Sequence, residues 1–415
     1  MAKLKAFKAV RPTRDKAHLV ASRPYYTYKS NILEAKLEDN PYTFIHIINP
    51  EHNVSEEMKT PPNSPERFEN VKSAFNDFCD QGILQQDTDE ALYVYKQTKN
   101  GHEYTGVIAG ASVEEYKQDL IKKHEATLTE REEMFTNYLD IVGFNAEPVL
   151  ISHRKDKTID DLLEIICANR AEYEFCTADT VKHELWVVKD VLKEKLLEAY
   201  DNIEATYIAD GHHRSASSTR LSERMNERYP NEKGEKNYNY ILGYFIDETR
   251  LTILEFNRLL KTMNNLSKEE ILSAFDKDFS VQKLDGACSP EKMHQIHCCI
   301  EGDWYKLSCK DHILHSPDIV DEIDAEILTK RILSPIFSIA DLKTSKDINF
   351  ISGEEGHLGV EREIQRGKYK VGFVLFPVTI DQVKAVADEN KIMPPKSTWV
   401  EPKLRSGLTI YKINE

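Results

Sequence analysis

At 415 residues, with 40% hydrophobic and 30% charged side chains, the chain has a globular composition and can bury more than one core. A formal charge of −15 excludes a general grip on nucleic-acid backbones, which needs a basic footprint. No apolar run approaches the roughly 20 residues that span a bilayer. The basic start lacks the apolar stretch of a secretory signal, so a cytoplasmic location and no membrane partner are expected. Seven cysteines at irregular spacing, with no C-x-x-C pair, do not form a disulfide framework.

In chain order, Thr43–Asn49 reads as a buried strand. Ser64–Gln81 reads as a helix with Phe68, Val71, Ala74, Phe75 and Phe78 on one face. Ala91–Ala111 reads as a hairpin turning at Lys99-Asn100-Gly101. A long amphipathic helix is expected from Val113 to Leu139, with a break near Thr127. Strands Glu147–Ser152 and Tyr173–Thr177 flank a helix at Ile159–Asn169. Glu184–Val188 precedes a helix at Val191–Tyr200, which leads into the apolar segment Ala205–Ile208.

A helix follows over Ser215–Arg228, then a loop at Tyr229–Asn237 and two apolar strands, Tyr240–Ile246 and Leu251–Phe256. Asn257-Arg258 stands just past the second strand, with no role the pattern assigns. Further on, expected helices Ser267–Phe275, Pro290–Ile300, Ile319–Ile339 and Ile380–Glu389 alternate with strands. These strands are Phe279–Lys283, Trp304–Cys309, Ile348–Ser352, Val371–Pro377 and Leu408–Ile413. Cys298-Cys299, beside His294 and His297, reads as the packed end of the Pro290–Ile300 helix rather than a metal site. Without a regular βαβ rhythm, this is an α+β chain of mixed sheets with flanking helices. A weak composition shift near Lys261 divides it into residues 1–260, an α/β core, and residues 261–415, a second α/β lobe whose C-terminal loop returns to the site.

The most informative run is Ile208-Ala209-Asp210-Gly211-His212-His213-Arg214-Ser215. A strand that feeds a turn and opens a helix presents backbone N–H groups at the positive end of the helix dipole, which suits an anion. Arg214 adds a fork for phosphate or carboxylate, and the histidines can donate or move protons near neutral pH. The same residues also suit a structural role, with Asp210 capping the helix and Arg214 in an ion pair. Pro394 to Gly407 gathers Lys396, Ser397, Thr398, Lys403 and Arg405 on a proline-stiffened segment suited to an anionic ligand. Ser22-Arg23 near the N-terminus and His124-Glu125, a possible base, complete the candidates. No P-loop, dinucleotide fingerprint, zinc helix or nucleophile elbow is present.

Several segments together resemble, along nearly the whole chain, the family catalogued as domain of unknown function 1015. They are Ala21-Ser22-Arg23-Pro24-Tyr25, Phe44-Ile45-His46 through Asn49-Pro50-Glu51, and Lys123-His124-Glu125-Ala126-Thr127. To these add Ala209-Asp210-Gly211-His212-His213-Arg214, Lys396-Ser397-Thr398, Pro402-Lys403 and Ser406-Gly407. Two positions depart from the family pattern: Tyr26 stands where aspartate is usual, and Ser218 where alanine is. The Asp-Gly-His-His-Arg turn, with its flanking strand and helix, is similar to the phosphate-binding turn of the ParB and sulfiredoxin superfamily. That superfamily includes nucleotide-dependent kinases of free serine. The resemblance implies a ParB/sulfiredoxin-like core around the turn. The absence of cysteine from the turn speaks against sulfiredoxin chemistry, and the charge of −15 speaks against a DNA-associated switch.

The expectation is a phosphotransfer enzyme for a small amino-acid-like metabolite, foremost serine or phosphoserine, with the direction open. Asp210, His212, His213 and Glu51 are the catalytic candidates. Gly211, Arg214, Ser215, Ser22, Arg23, Lys396, Ser397, Thr398, Lys403 and Arg405 would bind phosphate or substrate, and Glu125 or His124 could serve as base. A nucleotide, ATP or ADP, would come with Mg²⁺. No resident metal site is read from the residues, and the sequence does not give the oligomeric state. The alternative is a non-catalytic regulator that binds a nucleotide or phospho-metabolite.

Overall fold

The computed structural model describes residues 2–24, 27–28, 30–231 and 235–415. Tyr25 and Tyr26, quoted above for the family resemblance, lie outside the described residues, as does part of the Tyr229–Asn237 loop. The chain forms two compact units. One comprises residues 1–123, 127–251 and 402–415, and the other residues 124–126 and 252–401.

The first unit is built on a mixed sheet. Its strands are Leu4–Lys5 (β1), Leu92–Lys99 (β2), His102–Ser112 (β3), Ile121–Lys122 (β4), Val149–His153 (β5), Tyr173–Cys176 (β6), Lys182–Val188 (β7), Thr206–Asp210 (β8) and Tyr240–Asp247 (β9). The order is β4-β8-β5-β9-β3-β2-β7-β6, with β1 also on β3. The pairs β8/β4 and β9/β5 are parallel and the others antiparallel. The β2–β3 hairpin turns at Asn100 and Gly101, both at positive φ, as a right-handed sheet twist requires of a two-residue turn.

Pro65–Asp80 (α1) starts at Ser64, whose Oγ accepts from Arg67 N–H, and buries Phe68, Val71, Phe75 and Phe78. Lys157–Cys167 (α3) starts at the Asp156 carboxylate and buries Ile159, Leu162, Leu163 and Ile166, an i, i+3, i+4, i+7 stripe. With Asp190–Asp201 (α4) it covers one sheet face. Each fully buried Leu or Ile there contributes about 1.5–3 kcal/mol.

Thr129–Val142 (α2) packs along His212–Arg228 (α5) through an ion-pair ladder. Arg220, Arg224 and Arg228, one turn apart, meet Glu132, Glu133 and Asp140.

The second unit carries an antiparallel sheet of Phe256–Leu260 (β10), Phe279–Leu284 (β11), Gln295–Ile300 (β12), Asp303–Cys309 (β13), Ile348–Ser352 (β14) and Val371–Val374 (β15). The order is β11-β13-β12-β15-β10-β14. Apolar clusters lie on both faces, holding Leu260, Phe373 and Cys298 on one side and Leu259, Val374 and Cys299 on the other. The mixed α+β architecture expected from the sequence is the one observed.

Several local expectations are corrected. Thr43–Asn49 contains a helical turn, Ile45–Ile48, not a strand. Its apolar run is too short for periodicity to separate the two. The long Val113 helix is three elements: Val113–Lys117, β4 and α2. Asp119 adopts φ +58, which ends the first helix and frees Ile121–Lys122 to pair with Thr206–Tyr207. Pro290–Ile300 is not a helix, because β12 is buried on both faces and its apolar run hides the two-residue alternation. Leu251–Phe256 divides into Thr252–Leu254 and β10. Ile319–Ile339 breaks into short turns around a π-helical stretch, Thr329–Leu333. Helices Ser30–Asp39 and Gly356–Gln365 had no clear signal in the sequence.

Candidate functional site

The turn at Asp210 follows from the way β8 ends. The pairing with β5 skips Ala209, so a bulge separates Ile208↔Ile151 from Asp210↔Leu150 and re-aims the last residue of the strand. Gly211 then takes φ +106, a conformation that strains residues with a Cβ. A Cβ there would also lie 3.0 Å from Arg214 Nη2, so the guanidinium folds directly over the glycine. Helical hydrogen bonding begins with Ser215 N–H to the Gly211 carbonyl at 3.0 Å. The helix therefore opens on the amides of His212, His213 and Arg214, with glycine at the cap position offering no side chain to cover them.

Arg214 is held from several sides. Its Nη1 donates to the carbonyls of Pro148 (2.5 Å) and Glu147 (3.3 Å), and its Nη2 to Asp210 Oδ2 (3.0 Å). Lys403 Nζ approaches Asp210 Oδ1 at 3.6 Å, so the Asp210 carboxylate lies between two cations. Ser406 Oγ donates to Glu147 Oε1 at 3.0 Å, and Ser406 exchanges backbone hydrogen bonds with Ser22. Ser22 Oγ turns inward to the Val20 carbonyl and Thr43. The Lys403–Ser406 segment and the Ser22–Arg23 segment thus reach the turn together. Gly407, at φ +85 against the Phe44 ring, permits that approach.

Beside them lies a buried polar cluster that sequence reasoning did not find. Arg405 is buried, and its Nη2 donates to Asp179 Oδ1 and Oδ2 (2.9 and 2.6 Å) and to Thr177 Oγ1 (3.2 Å). Its Nε donates to His183 Nε2 at 3.4 Å, so that nitrogen accepts, and Nδ1 faces Tyr95 Oη at 2.8 Å. Arg23 Nη1 stands 3.9 Å from Asp179. Burial resists the Asp179 charge, but the Arg405 and Thr177 hydrogen bonds outweigh it and lower this carboxyl to about 2. Burial, reinforced by the Arg405 charge, lowers His183 to about 3, so it is neutral. Asp179 and Arg405 are 226 residues apart, and no spacing rule links them.

His212 is buried and His213 half-buried at the first turn of α5. Glu132 is held below the usual carboxylate range chiefly by the Thr127 hydrogen bond and by Arg220. Ser215 Oγ turns back to the Gly211 carbonyl at 3.3 Å. Glu51 has a network of its own. Its carboxylate accepts from Thr60 N–H and Oγ, Arg67 Nη1 and Asn70 Nδ2 at 2.6 to 3.0 Å, and these donors hold it below the usual carboxylate range. Among the described residues no hydrogen bond or ion pair joins Glu51 to the turn.

The remaining candidates belong to the second unit. His124 is buried with its carbonyl accepting from Met393 N–H at 2.8 Å, and Glu125 is exposed. Lys396, Ser397 and Thr398 precede the strand Trp399–Glu401, which pairs with Thr252–Leu254. Ser397 Oγ donates to the Pro394 carbonyl. No group of three or more His, Cys, Asp or Glu side chains among the described residues could hold a metal ion. Among the same residues no helix is long and apolar enough to cross a membrane.

The family described as "Protein of unknown function (DUF1015)" matches residues 4–326. The chain belongs to this family. No curated protein matches it. Among solved structures it is similar to a free serine kinase in complex with AMP. That likeness has 12% identity and a TM-score of 0.38, over 73% of this chain and 91% of the other. A conserved hypothetical protein from Pyrococcus furiosus gives 12% identity and a TM-score of 0.37, over 73% and 94%. SbnI with a C-terminal truncation, from Staphylococcus aureus, gives 11% and 0.38, over 72% and 85%.

Proposed function

We propose that this family member moves a phosphoryl group on or off a small amino-acid-like metabolite, with serine or phosphoserine as the foremost substrate. The observation that carries this reading is the opening of α5: a left-handed glycine, a helix N-terminus, and the cations Arg214 and Lys403 around one carboxylate. Phosphoryl transfer asks mainly for positioning and for donors aimed at developing negative charge. The amides of Gly211, His212 and His213 would cradle the phosphoryl oxygens. Lys403 and Arg214 would neutralise their charge, and His212 or His213 would donate to the leaving oxygen.

In the kinase direction the serine hydroxyl oxygen bonds to the terminal phosphorus of ATP or ADP. The bridging P–O bond to the nucleotide breaks, and the hydroxyl proton passes to a carboxylate. Asp210 suits that role by position, whereas the Glu51 oxygens already accept four hydrogen bonds. In the hydrolytic direction the same carboxylate would orient water. The similarity of the turn to that of free serine kinases supports the substrate class. Asp210 is committed to Lys403 and Arg214, so the carboxylate at the turn does not fit a metal cage. Charge neutralisation is assigned to this chain's own cations.

Purified protein incubated with phosphoserine, and separately with serine plus ATP or ADP, should give new phosphorus NMR signals in one arm. These would be inorganic phosphate in the first, or phosphoserine with the matching lower nucleotide in the second. Unchanged spectra in every arm overturn the reading. A second reading, a non-catalytic sensor of a nucleotide or phospho-metabolite, draws on the way Arg214 is tied to two backbone carbonyls. Saturable binding without turnover would select it.

A further inference from the structure

Asn257-Arg258 sits on β10, in the middle of the second unit's sheet. Strand alternation puts Phe256, Arg258 and Leu260 on one face, with Phe350 and Phe373 as the lateral neighbours of Arg258. The Arg258 side chain is wholly enclosed. Its Nη1 donates to the Phe256 carbonyl, and the guanidinium lies 5.6 Å from the centroid of the Phe350 ring. Nε and Nη2 have neither solvent nor a hydrogen-bond acceptor. Among the described residues no carboxylate pairs with it. Burial alone brings the group down to about 9, so it remains a cation at neutral pH.

An uncompensated buried cation is costly, and a cation–π contact returns only part of that cost. A carboxylate does border this cluster, with Glu401 Oε1 accepting from Trp399 Nε1 at 2.9 Å, but none among the described residues pairs with Arg258. A second cation stands nearby. Lys396 Nζ lies 5.1 Å from the Phe256 ring, on an exposed residue with φ +60, and no carboxylate among the described residues pairs with it either. The same ring meets Trp399 edge-on at 5.5 Å and Phe350 at 6.2 Å. One buried and one exposed cation therefore border a single aromatic cluster, and among the described residues neither forms an ion pair with a carboxylate.

We propose that Arg258 is the floor of a binding site for a small oxyanion, the carboxylate or phosphate group of a metabolite. Lys396 stands at its mouth, and Phe256, Phe350 and Trp399 form its walls. The guanidinium fork matches two oxygens of either group, and the dry surroundings strengthen the pairing. The proposal stands whether or not the Asp210 turn transfers phosphate.

The test uses the full chain, with tryptophan emission read during titration by inorganic phosphate in one arm and acetate in the other. At least one arm should give a saturable change that disappears in Trp399→Phe. The arm that binds more tightly tells a phosphate from a carboxylate ligand. Arg258→Met keeps the volume and removes the charge. It should weaken binding about tenfold or more, the worth of a charge-assisted hydrogen bond. Without ligand, its melting temperature should equal or exceed that of the parent. Lys396→Gln, on the surface, should weaken binding a few-fold with an unchanged fold. No response to either anion overturns the proposal, as does a response that survives Trp399→Phe or Arg258→Met. If Arg258→Met does not fold, Lys396→Gln decides, and unchanged affinity there overturns the proposal too.

Discussion

Among the described residues two arginines are buried, and they are buried in opposite ways. Arg405, in the first unit, donates to both oxygens of Asp179, to Thr177 and to His183. Arg258, in the second, donates to one carbonyl and otherwise faces a phenyl ring. A buried charge that finds its counter-charge within the chain acts as a fastener. One that does not is electrostatically incomplete, and truncating it removes a cost rather than a bond. Substitutions in the first unit test whether its charges are in fact complete.

The largest effect is expected at Arg405. Arg405→Ala leaves Asp179 ionised beside a buried histidine with four hydrogen bonds gone, and should cost about 3 kcal/mol or more in urea unfolding. If it costs as little as Arg258→Met, the contrast between the two arginines fails. The same cluster predicts acid lability. His183 takes up its proton near 6.5 when unfolded but only near 3 when folded, so its contribution is full above about 6.5 and is lost as pH falls toward 3. Asp179, lowered to about 2, adds stability that is present above its unfolded value and is lost as pH falls further. His183→Phe should flatten stability against pH between about 6.5 and 3 and leave the lower, Asp179-linked part in place.

Next comes Arg214. Read from sequence it is a candidate phosphate fork, but the folded chain gives it two carbonyls and a carboxylate as acceptors, with its side chain only 23% exposed. Arg214→Ala should therefore cost about 2 kcal/mol as well as any phosphate binding. Arg214→Lys should recover part of the stability. A melting temperature unchanged in Arg214→Ala would mean that its ties are weak and that its role lies with the ligand. Gly211→Ala is milder in stability, about 1–2 kcal/mol for a forced left-handed backbone. Because the new Cβ meets the Arg214 guanidinium, it should lower turnover or phosphate affinity more than it lowers unfolding energy.

Much of the first unit's fold was legible because its signals are local. Asn100-Gly101 turns a hairpin, Asp156 and Ser64 cap helices, and a 3.6-residue stripe marks α3. The Asp210 turn was legible for the same reason, since strand, glycine and helix lie in one run of sequence. What was not legible is pairing across distance. Nothing local to Thr177-Ala178-Asp179 says that Arg405 will donate to it, nor that Glu147 will lend a carbonyl to Arg214. The second unit was harder, because a strand buried on both faces loses its alternation. Cys298 and Cys299, on β12, enter opposite clusters, and the run reads as a helix. Arg258 showed in sequence only as a charge next to a strand, because the absence of a partner is visible only once everything else is in place.

The smallest effect is expected on the ladder between α5 and α2. Arg228 pairs with Asp140 at 2.8 Å, but its side chain is 44% exposed, and Arg224 also reaches Asp140 at 3.3 Å. Solvent screens such a pair, and the remaining arginine keeps the carboxylate satisfied. Arg228→Ala should therefore change unfolding energy by less than about 0.5 kcal/mol, and that difference should vanish in high salt. Arg224 bridges Glu133 and Asp140, so a double-mutant cycle of Arg224→Ala with Arg228→Ala should show coupling that neither single change reveals. Additive losses in that cycle would mean that each rung acts alone. If neither single change nor the double change costs measurable stability, the helix carrying the Asp210 turn is held by its buried face, Leu221 and Met225, and not by its charges.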